Sequence, residues 1–199
     1  GTEDEYKQIF ALLEKYNIGY FFYIGGNDSM DTVKQLSEYA AKIESDVKFV
    51  GIHKTIDNDL VGIDHSPGFG SAAKYIAAST KEVIRDALGL TYKKEMITVM
   101  EIMGRNAGWL TGAAALAKTE ECEGPDLIYL PEIAFDVEDF LAKVKELLQK
   151  KSSIVIAVSE GIKLADGRYV CELSGGGDYV DAFGHKQLQG TAAYLAGFL

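Results

Sequence analysis

The sequence predicts a doubly wound α/β protein, with mostly parallel sheets and helices on both faces of each sheet. Short apolar runs alternate with helix-periodic segments of a dozen or more residues, and crossovers of that kind join parallel strands. With 47% hydrophobic residues, 21 Gly and only 3 Pro among 199 residues, the chain has the composition of a protein that buries a core. Polar, glycine-rich segments directly follow several predicted strands, where ligands bind in open parallel sheets.

The first part of the chain is predicted to run helix, strand, helix, strand. Thr2 and Glu5 have the spacing of a capping box and open an amphipathic helix that ends near Asn17. The run 20–24 is aromatic and β-branched and has glycine on both sides, which predicts a strand buried on both faces. The next predicted elements are a helix over 29–43 and a strand over 47–52.

The same alternation continues further along the chain. Helices are predicted over 68–88, 105–118 and 137–149, and strands over 96–102, 127–130 and 154–158. After Glu160 the pattern changes, because 165–168 has the composition of a hairpin turn and 174–178 that of a flexible loop. The tail over 185–199 is helical by spacing.

The long non-periodic stretch 58–70 predicts a boundary between two Rossmann-like subdomains. We expect 1–66 to belong to one subdomain and 67–183 to form the other. The last segment, 184–199, is expected to be a helix that returns toward the first.

Charge and cysteine content limit the class of protein. The net charge of −10, from 20 Lys and Arg against 30 Asp and Glu, disfavours nucleic acid and acidic membrane surfaces as partners. The longest apolar runs, 18–24 and 154–158, are far shorter than the roughly 20 residues that cross a bilayer. Cys122 and Cys171 are too few for a disulfide framework or a zinc site and are expected to be buried thiols, which favours a cytoplasmic protein.

Two loops in the first part of the chain carry candidate chemistry. Gly25–Ser29 places a glycine pair before a helix, so that backbone N–H groups could face a phosphate, although such a turn is also a common helix cap. Lys54–Asp59 contains a lysine, a threonine and two carboxylates. These supply a cation, a base and a metal-seeking charge, as phosphoryl transfer to an alcohol requires, although Asp-x-Asp pairs also occur as simple turn residues.

Three further groups follow later strands. Arg105 stands at a predicted strand-to-helix turn, where it could hold a phosphate or hydroxyls bidentately or could be a surface arginine. Glu160 stands at a strand end and could accept hydrogen bonds from a sugar, with a solvated carboxylate as the alternative. His185 and Lys186 follow Gly184 at a predicted helix start, where a capping or core histidine is the usual role.

Taken together, these motifs resemble the phosphofructokinases, most closely the pyrophosphate-dependent branch. The resemblance extends over essentially the whole chain. The matching segments are 25–29, Lys54–Asp59, Pro67–Ala72, Met103–Thr111, Glu160–Gly161 and Ala182–Lys186.

The resemblance implies the chemical roles of the residues after the strands. It implies that Asp57 is the base that takes the proton from the 1-hydroxyl of fructose 6-phosphate. Asp59 and Thr55 would shape the surroundings of the transferred phosphoryl group.

The resemblance also implies an acceptor site. The loop of Met103, Gly104 and Arg105 would hold the substrate, and Glu160 would bind the sugar hydroxyls. The substrate-binding set is completed by His185 and Lys186, in the pocket of the sugar phosphate. On this basis 1–66 is part of the donor-binding subdomain and 67–183 is the sugar-phosphate-binding subdomain.

The donor side is expected to contain Gly26, Asp28, Ser29 and Lys54. Relatives that use ATP carry Gly at the Asp28 position and usually carry Gly at the Lys54 position, so both residues favour pyrophosphate, with ATP as the alternative donor. The implied cofactor is Mg²⁺, with Asp28 as its ligand, and the implied assembly is a homo-oligomer.

Several positions depart from the family pattern. Asn27 replaces an aspartate that many relatives use near the metal, and His53 stands where Pro is usual. Family arginines that bind the sugar phosphate align with Met96, Tyr179 and Leu188, which leaves the neutralisation of the 6-phosphate open.

We also expect the chain to be an internal fragment of a longer enzyme, with little or no activity alone. Two non-enzymatic alternatives are a regulatory chain of the same family and a phosphosugar-binding module. Intact Asp57, Asp59 and Arg105 argue against the first, and a binding module would not need Asp57.

Overall fold

The computed structural model describes residues 2–90, 94–174 and 190–199. The chain divides into two compact units, Gly1–Thr55 and Ile56–Leu199. This division comes earlier than the boundary between 66 and 67 expected from the sequence. The loop before the third helix lies in the second unit because it runs directly into that helix, where Phe69 N donates to Ser66 O at 3.1 Å.

The first unit contains two helices and two parallel strands. They are α1 Glu3–Lys15, β1 Tyr20–Gly25, α2 Asn27–Lys42 and β2 Lys48–His53. The strands pair from Tyr20 opposite Lys48 to Gly25 opposite His53. The predicted capping box of α1 is confirmed, since Thr2 Oγ1 accepts from Glu5 N at 3.4 Å and Thr2 N donates to Glu5 Oε2 at 2.6 Å.

Only one face of the β1–β2 pair is packed. Buried residues of α1 and α2 cover that face together with Phe49, and they include Phe10, Leu36, Tyr39 and Ala40. On the other face Tyr20, Phe22 and Ile24 are 68%, 61% and 66% exposed. The predicted burial of this strand on both faces is therefore wrong, because alternate side chains point away from the helices that cover the sheet.

The second unit is built around a three-stranded parallel sheet with the order β3–β5–β4. Its elements are α3 Phe69–Gly89, β3 Met96–Ile102, α4 Trp109–Ala113, β4 Leu127–Tyr129, α5 Val137–Leu148, β5 Ser153–Ser159 and α6 Thr191–Ala196. Short 3₁₀ helices occur at Ala114–Ala117 and Val170–Ser174.

Helices cover both faces of this sheet, which confirms the predicted fold class. On one face, Ile154 and Ile156 of the central strand β5 pack with Phe140 of α5. On the other, Val155 packs with Ile84 of α3. Alternate residues of a strand point to opposite faces, so a continuously apolar strand fits this central position.

Two predicted helices differ in the structure. The helix expected over 105–118 begins only at Trp109, because 104–108 form a loop with long-range hydrogen bonds. Of the helical tail expected over 185–199, residues 185–189 lie outside the described residues. Leu195 of α6 belongs to the core of the second unit.

The turn and thiol predictions are confirmed. Lys163 and Tyr169 form an antiparallel bridge across a turn in which Gly167 has φ 87°. Cys122 and Cys171 are both buried, and neither forms a disulfide. In the part of the chain that the structure describes, every helix is too short or too polar to cross a membrane.

Candidate functional site

Two site loops of the second unit start side by side at the carboxyl end of the sheet. Ile102, the last residue of β3, pairs with Ser159, the last residue of β5. Met103 and Glu160 follow immediately. The parallel register therefore brings the Met103–Gly108 loop next to Glu160, as the sequence pattern predicts for residues that follow neighbouring strands.

Three hydrogen bonds join these loops near their starts. Gly104 N donates to Glu160 Oε1 at 3.1 Å, and Ser159 Oγ donates to Gly104 O at 2.5 Å. Glu160 N donates to Ile102 O at 2.9 Å. The predicted sugar-binding carboxylate thus also holds the backbone of the Met-Gly-Arg loop.

Two glycines allow this close approach. Gly104 has φ 146°, and a Cβ there would lie 2.6 Å from Ala107 O. A Cβ on Gly161 would lie 2.1 Å from Arg105 O. Both positions therefore exclude a side chain, so the backbone of Arg105 lies directly against the loop after β5.

The charges of Asp57 and Arg105 act on the Glu160 carboxylate. The pKa of Glu160 is raised above its ordinary value of 4.5, mainly because burial disfavours the charged form. The Gly104 N–H lowers this pKa, Asp57 raises it, Arg105 lowers it and Glu101 raises it. Three of the residues named from the sequence, Asp57, Arg105 and Glu160, therefore interact electrostatically.

The Asp57–Asp59 segment is held by the residue between the two carboxylates. Asn58 is 6% exposed and has φ 55°, in the left-handed region. Its Oδ1 accepts from Ser66 N at 2.8 Å, and its Nδ2 donates to Asp64 O at 3.3 Å. These bonds close the 58–66 loop and fix the backbone between Asp57 and Asp59.

In the first unit, the predicted donor residues lie at the carboxyl ends of β1 and β2. Lys54 N donates to Gly25 O at 2.8 Å, and Thr55 follows Lys54. Gly26 is the N-cap of α2, and Asp28 is exposed in the first turn. Ser29 folds back over the glycine pair, since a Cβ on Gly25 would lie 1.9 Å from its Oγ.

The N-terminus of α2 could bind a phosphate, but the Asp28 carboxylate in its first turn limits how closely a phosphate can approach. The N-terminus of a 16-residue helix carries a partial positive charge, which attracts anions. The Asp28 carboxylate carries the same sign as a phosphate and fills space beside it. The arrangement is therefore expected to limit which phosphate groups can approach without a metal ion.

His185 and Lys186 lie outside the described residues. The chain just after them is described, and it contacts the site region: Thr191 Oγ1 donates to Glu160 O at 3.0 Å, and Ala192 N donates to Glu101 Oε2 at 2.8 Å.

Sequence reasoning missed Glu132. Its Oε1 accepts from Gly108 N, at the far end of the Met103–Gly108 loop, at 2.6 Å. The available signal was its place shortly after β4, in the same position relative to a strand as the other site residues.

The carboxylates of the chain fit one mode of magnesium binding. Within residues 2–90, 94–174 and 190–199, no group of three or more His, Cys, Asp or Glu could hold a metal ion. Mg²⁺ in phosphoryl-transfer enzymes is commonly held by one or two carboxylates together with substrate phosphates. An exposed carboxylate such as that of Asp28 fits this mode of binding.

Comparison with known sequences gives long matches. Residues 1–196 match the phosphofructokinase family. The chain is 46% identical over 187 residues to the pyrophosphate–fructose 6-phosphate 1-phosphotransferase of Rhodospirillum rubrum, covering 94% of this chain and 45% of that protein. It is 39% identical over 158 residues to the sulfofructose kinase of Alkalicoccus urumqiensis, covering 79% and 41%.

A solved structure shows the same architecture. The pyrophosphate-dependent phosphofructokinase of Nitrosospira multiformis matches with a TM-score of 0.74 and 40% identity, covering 84% of this chain and 42% of that one. The chain thus spans less than half the length of these relatives. With a family match that includes all but the last three of its 199 residues, this chain belongs to the phosphofructokinase family.

Proposed function

We propose that the whole protein transfers a phosphoryl group from pyrophosphate to the 1-hydroxyl of fructose 6-phosphate. The observation that carries this proposal is the pairing of the ends of β3 and β5, which precede Arg105 and Glu160, together with the charge of Asp57 that acts on Glu160. Three relatives with this reaction in their names are 41–46% identical to the chain over 187–195 aligned residues.

In this reaction Asp57 accepts the proton of the 1-hydroxyl as the oxygen attacks one phosphorus of pyrophosphate. The P–O bond of the donor breaks, and inorganic phosphate leaves with the electron pair. Arg105 and Lys54 balance the negative charge on the transferred group, which is the main task of an enzyme in phosphoryl transfer. Thr55 and Asp59 shape the surroundings of that group.

Glu160 orients the sugar through its hydroxyls. Its Oε1 holds the Gly104 N–H, so the same side chain links the sugar to the loop of Met103 and Arg105. His185 and Lys186 bind the phosphate of the sugar in this proposal. Mg²⁺, held by Asp28 together with donor phosphates, would supply charge neutralisation when bound.

Two residues of the first unit, Asp28 and Lys54, favour pyrophosphate as the donor. Asp28 lies in the first turn of α2, and Gly26 and Ser29 form the turn before and around it. Its bulk and charge oppose the additional phosphate and nucleoside of ATP, and Lys54 supplies a cation that compact pyrophosphate can use. ATP is the alternative donor.

Assaying the whole protein with each donor tests the proposal. We expect turnover with pyrophosphate and Mg²⁺ to exceed turnover with ATP, and the double variant Asp28→Gly, Lys54→Gly to gain activity with ATP. Asp31→Gly with Lys34→Gly, one turn further along α2, is the matched control and should leave the preference unchanged. A preference of the parent protein for ATP would overturn the donor assignment, and inactivity with both donors would favour a regulatory chain.

A second acceptor is a candidate because of the sulfofructose kinase relative. Sulfofructose presents a sulfonate where fructose 6-phosphate presents a phosphate, and Met96 stands at one position where other family members carry a phosphate-binding arginine. Parallel assays with the two sugars distinguish them. We expect the higher kcat/KM with fructose 6-phosphate.

We further propose that the protein acts in the cytoplasm as a homo-oligomer. Cys122 and Cys171 are buried and form no disulfide, which is consistent with a reducing compartment.

A further inference from the structure

Glu132 connects the loop after β4 to the start of α4. Its Oε1 accepts a hydrogen bond from the backbone N–H of Gly108 at 2.6 Å. Gly108 is the N-cap residue of α4 and ends the Met103–Gly108 loop. A short hydrogen bond to an ionised carboxylate is about twice as strong as one between neutral groups.

The packing around Gly108 shows that this contact is tightly built. A Cβ on Gly108 would lie 2.7 Å from Glu132 Oε2, 2.9 Å from Leu130 Cδ2 and 3.0 Å from Pro131 Cδ. Pro131 is buried, and its ring restricts the backbone directly before Glu132. The carboxylate is therefore presented to the Gly108 N–H by a constrained segment of chain.

The loop has its other anchor at the end of β5. Ser159 Oγ and Glu160 Oε1 bond the carbonyl oxygen and the N–H of Gly104. Arg105 lies between the two anchors, one formed by β5 and the other by the β4 loop. Removing either anchor allows the segment that carries Arg105 to move.

We propose that Glu132 is a positioning residue for the reaction, which holds the far end of the Met103–Gly108 loop and thereby fixes Arg105 and the acceptor sugar. This inference rests on the proposed function. Glu132 acts through Gly108 and does not contact the reacting atoms. Because displacements of about 1 Å can reduce turnover by about 10²-fold, a single hydrogen bond at a loop end is able to affect the chemistry.

Kinetics of the whole protein give the first test. Glu132→Ala should raise the KM for fructose 6-phosphate about tenfold and lower kcat, with little change in the KM for pyrophosphate. Glu132→Gln keeps an oxygen acceptor and should restore both values to within about threefold of the parent protein. If the Glu132 carboxylate instead acted directly on substrate or metal, the amide of glutamine could not replace it, and Glu132→Gln would be as impaired as Glu132→Ala.

Glu120→Ala is the matched control. Glu120 is also an exposed carboxylate of the second unit, but it lines a cavity with Met96 and Ser153, at the opposite ends of β3 and β5. It should leave both KM values and kcat unchanged. Glu132 is itself exposed, so its truncation does not open a cavity in the core.

Amide hydrogen exchange gives a second test that does not depend on activity. Peptides that cover 103–110 should exchange faster in Glu132→Ala, at the parent rate in Glu132→Gln, and at the parent rate in Glu120→Ala. Unchanged exchange in Glu132→Ala would overturn the inference, and so would faster exchange with unchanged kinetics. If the parent protein has no activity with either donor, the proposed function fails, and exchange alone decides whether Glu132 anchors the loop.

Discussion

Oδ1 of Asn58 accepts a hydrogen bond from the backbone N–H of Ser66 at 2.8 Å, across the loop that begins at Asp57. Ser66 is fully buried, and Asn58 is 6% exposed. The side chain of Asn58 therefore satisfies a backbone donor that water does not reach. It also sets the direction of the chain between the carboxylates of Asp57 and Asp59.

Two substitutions of Asn58 should separate its side-chain bonds from its backbone conformation. Asn58→Gly retains the left-handed conformation but loses both bonds, which is expected to cost about 1–3 kcal/mol of unfolding free energy because Ser66 N–H is left without its acceptor. Asn58→Ala should cost about 1 kcal/mol more, since φ 55° is strained for alanine. Denaturant unfolding measures both values.

The control for this pair is Asp64→Ala, which leaves the backbone carbonyl that Asn58 Nδ2 bonds. It should change the unfolding free energy by less than about 0.5 kcal/mol, as is usual for exposed positions. Equal stability of Asn58→Gly and Asn58→Ala would show that the left-handed backbone at this position does not strain alanine.

Replacing Asp57 should affect turnover far more than binding. In the whole protein, Asp57→Ala should lower kcat by about 10²-fold or more, because general-base catalysis contributes roughly that much, with smaller changes in KM. Asp64→Asn, an exposed carboxylate in the same loop, is the matched control. Near-normal turnover of Asp57→Ala would exclude Asp57 as the base.

The raised pKa of Glu160 predicts a pH-dependent stability. The folded state binds this proton more tightly than the unfolded state, whose pKa is close to 4.5. The stabilisation from Glu160 is therefore fully present below about pH 4.5 and is lost as pH rises through the raised value.

Glu160→Gln removes this titration while keeping an acceptor for Gly104 N–H. Relative to the parent protein, its melting temperature should increase as pH rises from about 4 to 8. Thermal unfolding at several pH values measures the difference between the two proteins, so that the other carboxylates cancel. A difference that does not change with pH would show that Glu160 titrates normally.

Local patterns were sufficient for most of the fold. The strand predicted over 96–102 has those bounds in the structure, and the helix predicted over 137–149 ends one residue earlier. The two continuously apolar runs had different outcomes: β5 is buried on both faces, whereas β1 is exposed on one. Burial depends on which elements pack against a strand, and its own sequence does not contain that information.

The site shows the same division between local and long-range information. Arg105 and Glu160 could be predicted together, because they follow neighbouring strands of one parallel sheet. Asp57 follows β2 of the other sheet, so this rule does not bring it to the same place. The late start of α4 could not be predicted, since it depends on bonds from Gly104 to residues more than fifty positions away. Glu132 was missed because its contact with Gly108 depends on the strand order β3–β5–β4.

The exposed face of β1 and β2 should cause the 199-residue chain to self-associate. Alternate residues on this face are large and apolar: Tyr20, Phe22, Ile24, Val50 and Ile52 are each at least 39% exposed. A contiguous apolar surface of this kind is unusual on a monomeric protein and favours contact with another apolar surface. Sedimentation velocity over a range of concentrations measures the effect.

Threonine substitutions on the two faces of β1 separate surface association from loss of fold. Phe22→Thr with Ile24→Thr keeps residues that suit a strand and should shift the distribution toward monomer. Phe21→Thr is the control on the packed face, where the ring centroid of Phe21 lies 5.7 Å from that of Phe49. It should destabilise the first unit without reducing association, because the exposed surface remains. A parent chain that stays monomeric at all concentrations, or a double variant that associates equally, would show that this face does not drive association.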